Sequence, residues 1–215
     1  MPDNTIVSAL FPLPNLVFFP NTLLPLHIFE PRYVKMTEDA IEGDRVITVV
    51  QLRPGWEEKY MGEPPIYEIA TAGHVSRYVR QDDGRYDIIL DGFSRVRIVE
   101  EEEGDETPYR RATCELLDDS CADSGNEIGK LTNQLSAQCL RLLELRPSLA
   151  SWGKKVLYSV SDPGAFSNLL AAFYGAAFQI DPYERQCILD ADEIVHRMKL
   201  VSVQGNRILK VLNEE

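Results

Sequence analysis

The chain has 215 residues, 44% of them hydrophobic, which suffices for one or two compact units with real cores and excludes the disordered class. The net charge is −12 and unevenly placed: residues 1–119 carry 12 Lys/Arg against 23 Asp/Glu, while residues 120–215 carry 10 against 11. Such an acidic first half repels phosphate backbones and anionic lipid heads, so neither nucleic acid nor a membrane surface is an expected partner.

Thr5–Leu10 and Leu23–Phe29 are short β-prone runs separated by a Pro-rich bend, Pro12–Pro20. Pro31 opens a helix that Gly43 closes, with Tyr33, Thr37, Ala40 and Ile41 recurring on one face. Arg45–Leu52 contains Val46-Ile47-Thr48-Val49-Val50, a run suited to a strand buried on both faces. In the next strand Val75, Arg77 and Val79 alternate with His74, Ser76 and Tyr78, which predicts two unlike faces. Asp82-Asp83-Gly84-Arg85 supplies the hairpin turn, and Tyr86–Asp91 returns. Gly92-Phe93 reads as a break before a third strand, Ser94–Val99, and Tyr109–Leu117 as a fourth. The expected result is an antiparallel meander closing part of the way into a barrel.

The small, polar stretch Asp118–Glu127 has the chemistry of a linker. Beyond it everything reads as helix. Ile128, Leu131, Leu135, Cys139, Leu142 and Leu143 keep a helical period up to Pro147. Asp162-Pro163 and Asp181-Pro182 each place a capping carboxylate before a proline at the first helical position. Ile194, Met198, Val201, Gly205, Ile208 and Leu212 lay an apolar seam along a final helix, expected to pack near Phe166–Phe173 in a monomer. The fold class expected is α+β: a β-barrel over about 1–118 and a helical subdomain over about 127–215.

Leu10-Phe11-Pro12-Leu13-Pro14-Asn15-Leu16-Val17-Phe18-Phe19-Pro20 and Leu24-Pro25-Leu26-His27-Ile28-Phe29-Glu30-Pro31-Arg32-Tyr33 resemble the opening of the N-terminal domain of Lon ATP-dependent proteases. Gly73-His74-Val75 and Leu90-Asp91-Gly92-Phe93-Ser94-Arg95-Val96 are similar to later stations of that family, as is Asp162-Pro163-Gly164-Ala165-Phe166. The resemblance implies a PUA-like barrel followed by a helical subdomain, and a role in gripping substrate polypeptides. Neither the ATPase nor the Ser-Lys protease module of the full protease appears before Glu215, so a free-standing recognition or adaptor module is expected, with a separate ATP-dependent protease as a partner it implies.

Catalytic motifs are missing. Gly129-Lys130-Leu131 and Gly153-Lys154-Lys155 do not make a P-loop. Ser151-Trp152-Gly153-Lys154 spells S-x-x-K without the companion boxes of acyl-transfer enzymes, and reads instead as a helix start. His27, His74 and His196 are scattered, and Cys114, Cys121, Cys139 and Cys187 form no C-x-x-C, so no metal or other cofactor is expected. Unpaired cysteines, no basic leader and no run of about 18 apolar residues point to the cytoplasm. Arg77, Arg80, Arg95 and Arg97 are expected to pair with Asp87 and Asp91 across strands. The candidate polypeptide contacts are Trp56, Tyr60 and Met61, in a long Pro/Gly-rich connection, and Phe18 and Phe19, in the bend. Each set has a structural alternative: a lid over the barrel for the first, core plugs for the second. The main reading is a non-enzymatic module that binds unfolded or exposed apolar polypeptide. An RNA-binding PUA-like module and a hydrolase with an unrecognised site are the rivals.

Overall fold

The structure is a computed structural model, and it describes residues 4–59, 62–102, 107–120 and 125–214. These fall into two compact units, Met1–Leu117 and Asp118–Glu215.

The first unit holds strands β1 (Thr5–Leu13), β2 (Leu23–Ile28), β3 (Val46–Gln51), β4 (Ile69–Arg80), β5 (Tyr86–Glu101) and β6 (Arg111–Leu117), with helix α1 (Pro31–Glu42) between β2 and β3. The sheet order is β2-β5-β4-β3-β1-β6, and β5 also pairs with β6, so five strands close a ring and β2 hangs from it. The expected meander is antiparallel throughout, but β1 and β3 run parallel. The chain between them is long enough to allow it, since β2 and α1 form the crossover that parallel neighbours require.

Closure rests on β5. Gly92-Phe93 does not break it, and one strand of 16 residues runs through both predicted ones. Along one edge it pairs with β4; along the other, residues 86–91 pair with β2 and residues 95–101 with β6. Gly92 permits this change of neighbour, because a Cβ there would lie 2.7 Å from the Phe19 carbonyl oxygen and 2.9 Å from the Phe18 ring. The Gly92 amide donates to the Thr22 carbonyl, and its own carbonyl accepts from Asn21 N–H.

β3 is buried at all six positions, as its unbroken apolar run predicts. Ile47 and Val49 join Phe11, Ile28, Ile88 and Leu90 in a core covered by Tyr33 and Met36 of α1. Val46 and Val50 join a second core of smaller residues, among them Ala70, Ala72, Ala112 and Cys114.

The second unit contains α2 (Asn126–Leu145), α3 (Ala150–Ser159), α4 (Pro163–Phe178), α5 (Pro182–Asp190) and α6 (Ile194–Glu214). Both predicted caps form: Asp162 accepts from Ala165 N–H and Asp181 from Tyr183 N–H, each at 2.7 Å. The α6 seam is turned inward against α2 and α4, with Met198 and Val201 fully buried. Polar groups fix its register, since Gln138 Nε2 donates to the Ser202 carbonyl and to Asn206 Oδ1.

The polar stretch read as a linker starts differently from that expectation. The fully buried Arg197 guanidinium donates two hydrogen bonds to Asp119, at 2.6 and 2.8 Å, and one to the Ala191 carbonyl. Ser120 exchanges backbone bonds with Asp192 and Ile194. Residues 121–124, Cys121 among them, lie outside the described residues.

Candidate polypeptide-binding face

One face of the β2-β5-β4 segment packs on α1 and the other is open. On β2 the alternation is clean: Leu24, Leu26 and Ile28 turn toward the core, while Leu23, Pro25 and His27 are exposed. On β5, Tyr86, Ile88 and Leu90 are buried and Asp87, Ile89 and Asp91 face the other way.

β4 would oppose these faces with the wrong parity were it regular. A bulge at Ser76 corrects this: Val75 pairs with the buried Leu90, and the next partners are Arg77 with Ile89 and Val79 with Asp87. One extra residue reverses which face follows. The predicted common face of Val75, Arg77 and Val79 is thereby split, with Val75 inside and Arg77 and Val79 outside.

The open face exposes several large apolar side chains. Leu23 is 65% exposed, Val79 60% and Phe29, just past β2, 59%. Pro25, His27, Arg77, Val79, Asp87 and Ile89 help line a shallow cleft of about 420 Å³ across the three strands. Farther along β4 and β5, Phe93 stacks on His74, with ring centres 4.5 Å apart. Some polar groups of the open face engage one another: His27 Nδ1 lies 2.7 Å from Asp87 Oδ1, and Gln81 also donates to Asp87, while Arg77 and Asp91 are exposed on the same face. The His27 hydrogen bond holds the Asp87 carboxyl below its ordinary range. β2 is the end of the sheet order, and Pro25 at its centre has no N–H for an added strand. This geometry suits side chains laid across the face better than backbone pairing along the edge.

The described residues also bear on nucleophilic chemistry. Burial pushes the Cys114 thiol up to about 11 and the Cys139 thiol up to about 12, so neither is a ready thiolate. No group of three or more His, Cys, Asp or Glu among the described residues is placed to hold a metal ion. No helix among them is long and apolar enough to cross a membrane.

A family model described as the ATP-dependent protease La (LON) substrate-binding domain matches residues 7–204. The chain belongs to that family. Its LON domain is similar to Lon protease 2 of Myxococcus xanthus, with 29% identity over 97% of this chain and 25% of the relative. It is also similar to Lon protease 2 of Sorangium cellulosum, with 30% identity over 98% of this chain and 26% of the relative. The chain thus spans about a quarter of the length of these relatives. Among solved structures, the N-terminal domain of a Mycobacterium avium complex Lon protease superposes with a TM-score of 0.70 at 12% identity, covering 94% of this chain and 98% of that one. A Lon N-terminal domain protein from Xanthomonas campestris gives 0.62 at 18% identity, covering 90% and 95%. These likenesses show the shared α+β fold.

Within this LON domain the sequence-predicted contacts are dispersed. Phe18 and Phe19 are 3% and 0% exposed and offer a partner no surface. The Phe18 ring lies against Gly73 and Gly92, and its carbonyl accepts from the Thr71 hydroxyl at 2.7 Å. They are the core plugs of the alternative reading. Trp56 is half-buried, and its carbonyl accepts from Lys59 N–H across a short 3-10 turn, Glu57–Lys59. Tyr60 and Met61 lie outside the described residues. The Trp56 loop joins the end of β3 to the start of β4, and the register puts that end opposite the strand ends near Val79 and Asp87. The open face therefore does not include Trp56.

Two of the arginines also pair otherwise than expected. Arg80 reaches Glu38 of α1 at 3.5 Å and Arg97 reaches Glu115 of β6 at 3.0 Å, while Arg95 is buried. Sequence reasoning missed Leu23, Pro25, Phe29, Val79 and Ile89. The available signal was Pro25: a proline inside an apolar strand marks a sheet edge, and so a face less fully covered.

Proposed function

We propose that this chain is a non-enzymatic recognition module that captures unfolded or exposed apolar polypeptide on the open face of β2, β5 and β4. The observation that carries this reading is the set of exposed apolar side chains on that face: Leu23 and Phe29 at the two ends of β2, and Val79, which lines the cleft. Contiguous apolar surface of this kind marks interaction sites. Membership of a substrate-binding family supports polypeptide as the ligand, and the acidic balance of residues 1–119 disfavours RNA. In this reading the captured chain is presented to an ATP-dependent protease. The loop segment that carries Trp56, Tyr60 and Met61 in sequence is a second proposed contact region.

The test is capture of reduced, alkylated lysozyme by the full chain. Leu23→Asp with Val79→Asp should weaken capture about tenfold or more while the melting temperature stays nearly constant, since both side chains already face water. Trp56→Ser measures the second region separately. Unaltered capture in the Leu23/Val79 variant would reject the open face as the site. Turnover of ATP or casein that copurifies with the protein would reject the non-enzymatic reading.

A further inference from the structure

The helical unit carries a surface that apolar capture on the sheet does not use. α3 packs by one side only. Gly153 and Val156 are buried, and a Cβ on Gly153 would meet Leu143 Cδ2 at 2.4 Å, so this side is closed against α2. The opposite side presents Ser151, Trp152, Lys154, Lys155, Tyr158 and Ser159, all exposed. Trp152, Lys155 and Ser159 follow one line at helical spacing, and Lys154 and Tyr158 the line beside it. Tyr158 is 77% exposed, more than any other large hydrophobic side chain among the described residues. Trp152 sets its ring edge-on to Phe173 at 4.9 Å, which positions the indole without covering it.

Charge marks the same face. The chain is acidic overall, and many of its cations are ion-paired, as in Arg111–Glu102, Lys199–Glu127 and Arg207–Glu184. Lys154 and Lys155 have no ion-pair partner among the described residues. From Arg146 to Ser161 the sequence contains three basic residues and no acidic one. Two open ammonium groups between an exposed Trp and an exposed Tyr complement an acidic segment that carries an apolar side chain, the pairing that gives interfaces both steering and anchorage. A nucleic acid fits less well, because two cations neutralise only about two phosphates while the rest of the chain repels the strand.

We propose that the outer face of α3 docks an acidic polypeptide segment of a partner protein. Lys154 and Lys155 take its carboxylates, and Trp152 and Tyr158 hold an apolar side chain. The site is independent of the sheet face and does not rest on it.

The protein contains two tryptophans, so a full-chain Trp56→Phe variant leaves Trp152 as the reporter. It is titrated at low ionic strength with a Glu/Asp-rich peptide bearing one central Phe, with an oligouridine of equal length, and with phosphatidylserine vesicles. The acidic peptide should change Trp152 emission saturably. Lys154→Glu with Lys155→Glu should weaken it about tenfold or more, as should Tyr158→Ser, with unchanged circular dichroism and melting. Leu23→Asp with Val79→Asp should leave it unaffected. Absence of saturation, affinity indifferent to the charge reversal, or tighter binding of the oligouridine or vesicles through the same lysines would each overturn the proposal.

Discussion

Asp39 shows how a single polar residue ties α1 to the strands around it. Its carboxylate accepts from Lys35 Nζ at 2.6 Å, one turn back along α1, and from the Tyr109 hydroxyl at 2.8 Å, just before β6. Burial pushes the Asp39 carboxyl up, but the hydrogen bonds from Lys35 and Tyr109 outweigh it and hold the group below its ordinary range. A folded-state pKa below the unfolded value stabilises the protein once the unfolded carboxylate has ionised, above about pH 4, and that stability is lost as pH falls through the lowered folded value. Tyr109→Phe removes one of these bonds at a cost of about 0.5–1.5 kcal/mol. The expected difference between wild type and Tyr109→Phe, measured by urea unfolding, is constant between neutral pH and about pH 5 and shrinks below about pH 4. A difference that does not change with pH would mean the tyrosine acts by packing alone.

At the scale of elements, α6 gives the clearest test of packing. Its seam predicted burial from spacing alone, and Met198 and Val201 lie at the centre of the contact with α2 and α4. Met198→Asp would leave a charge there without a partner, and should destabilise the protein by about 2–4 kcal/mol. A wild-type dimer converted by this substitution to a stable, folded monomer would instead place the seam between two copies. The helices were legible because periodicity, Asp-Pro caps and prolines all mark the same boundaries. The strands were legible as elements, but their neighbours were not. Nothing local in Val46–Gln51 says that β3 lies parallel to β1, since that pairing depends on the crossover through α1. The bulge at Ser76 left no local mark, yet it decides which side of β4 joins the open face. Aromatic character points to Trp56 and Phe18 alike, whereas burial is decided by the tertiary fold, which sets Phe18 in the core that α1 covers and against Gly73 and Gly92. The candidate face was therefore the least legible part: it combines residues from three strands, and its composition follows from register rather than from any contiguous motif.

For the whole molecule, the decisive contact is the one between Asp119 and Arg197. Arg197 is fully buried, and a buried guanidinium requires a close counter-charge and filled hydrogen bonds. Asp119 supplies the counter-charge and two parallel bonds, the Ala191 carbonyl accepts a third, and Gly164 makes room, because a Cβ there would come within 2.6 Å of Asp119 Oδ2. Asp119 and Ser120 are thus part of what holds the helices together, although they read as linker. We expect the two compact units to fold separately, provided the division respects this contact. A fragment of residues 118–215 should unfold cooperatively in urea, followed by far-ultraviolet circular dichroism. A fragment of residues 121–215 keeps every helix but strands the Arg197 charge, and should lose about 3–5 kcal/mol. That loss consumes much of the roughly 5–15 kcal/mol that stabilises a typical domain, so the shorter fragment should be at best marginally folded. Arg197→Met in the shorter fragment should recover part of the loss, since an apolar side chain has no charge to strand. Equal stability of the two fragments would show that Asp119 contributes nothing to the helical unit. A non-cooperative transition in the longer one would show that the helices depend on the barrel to fold.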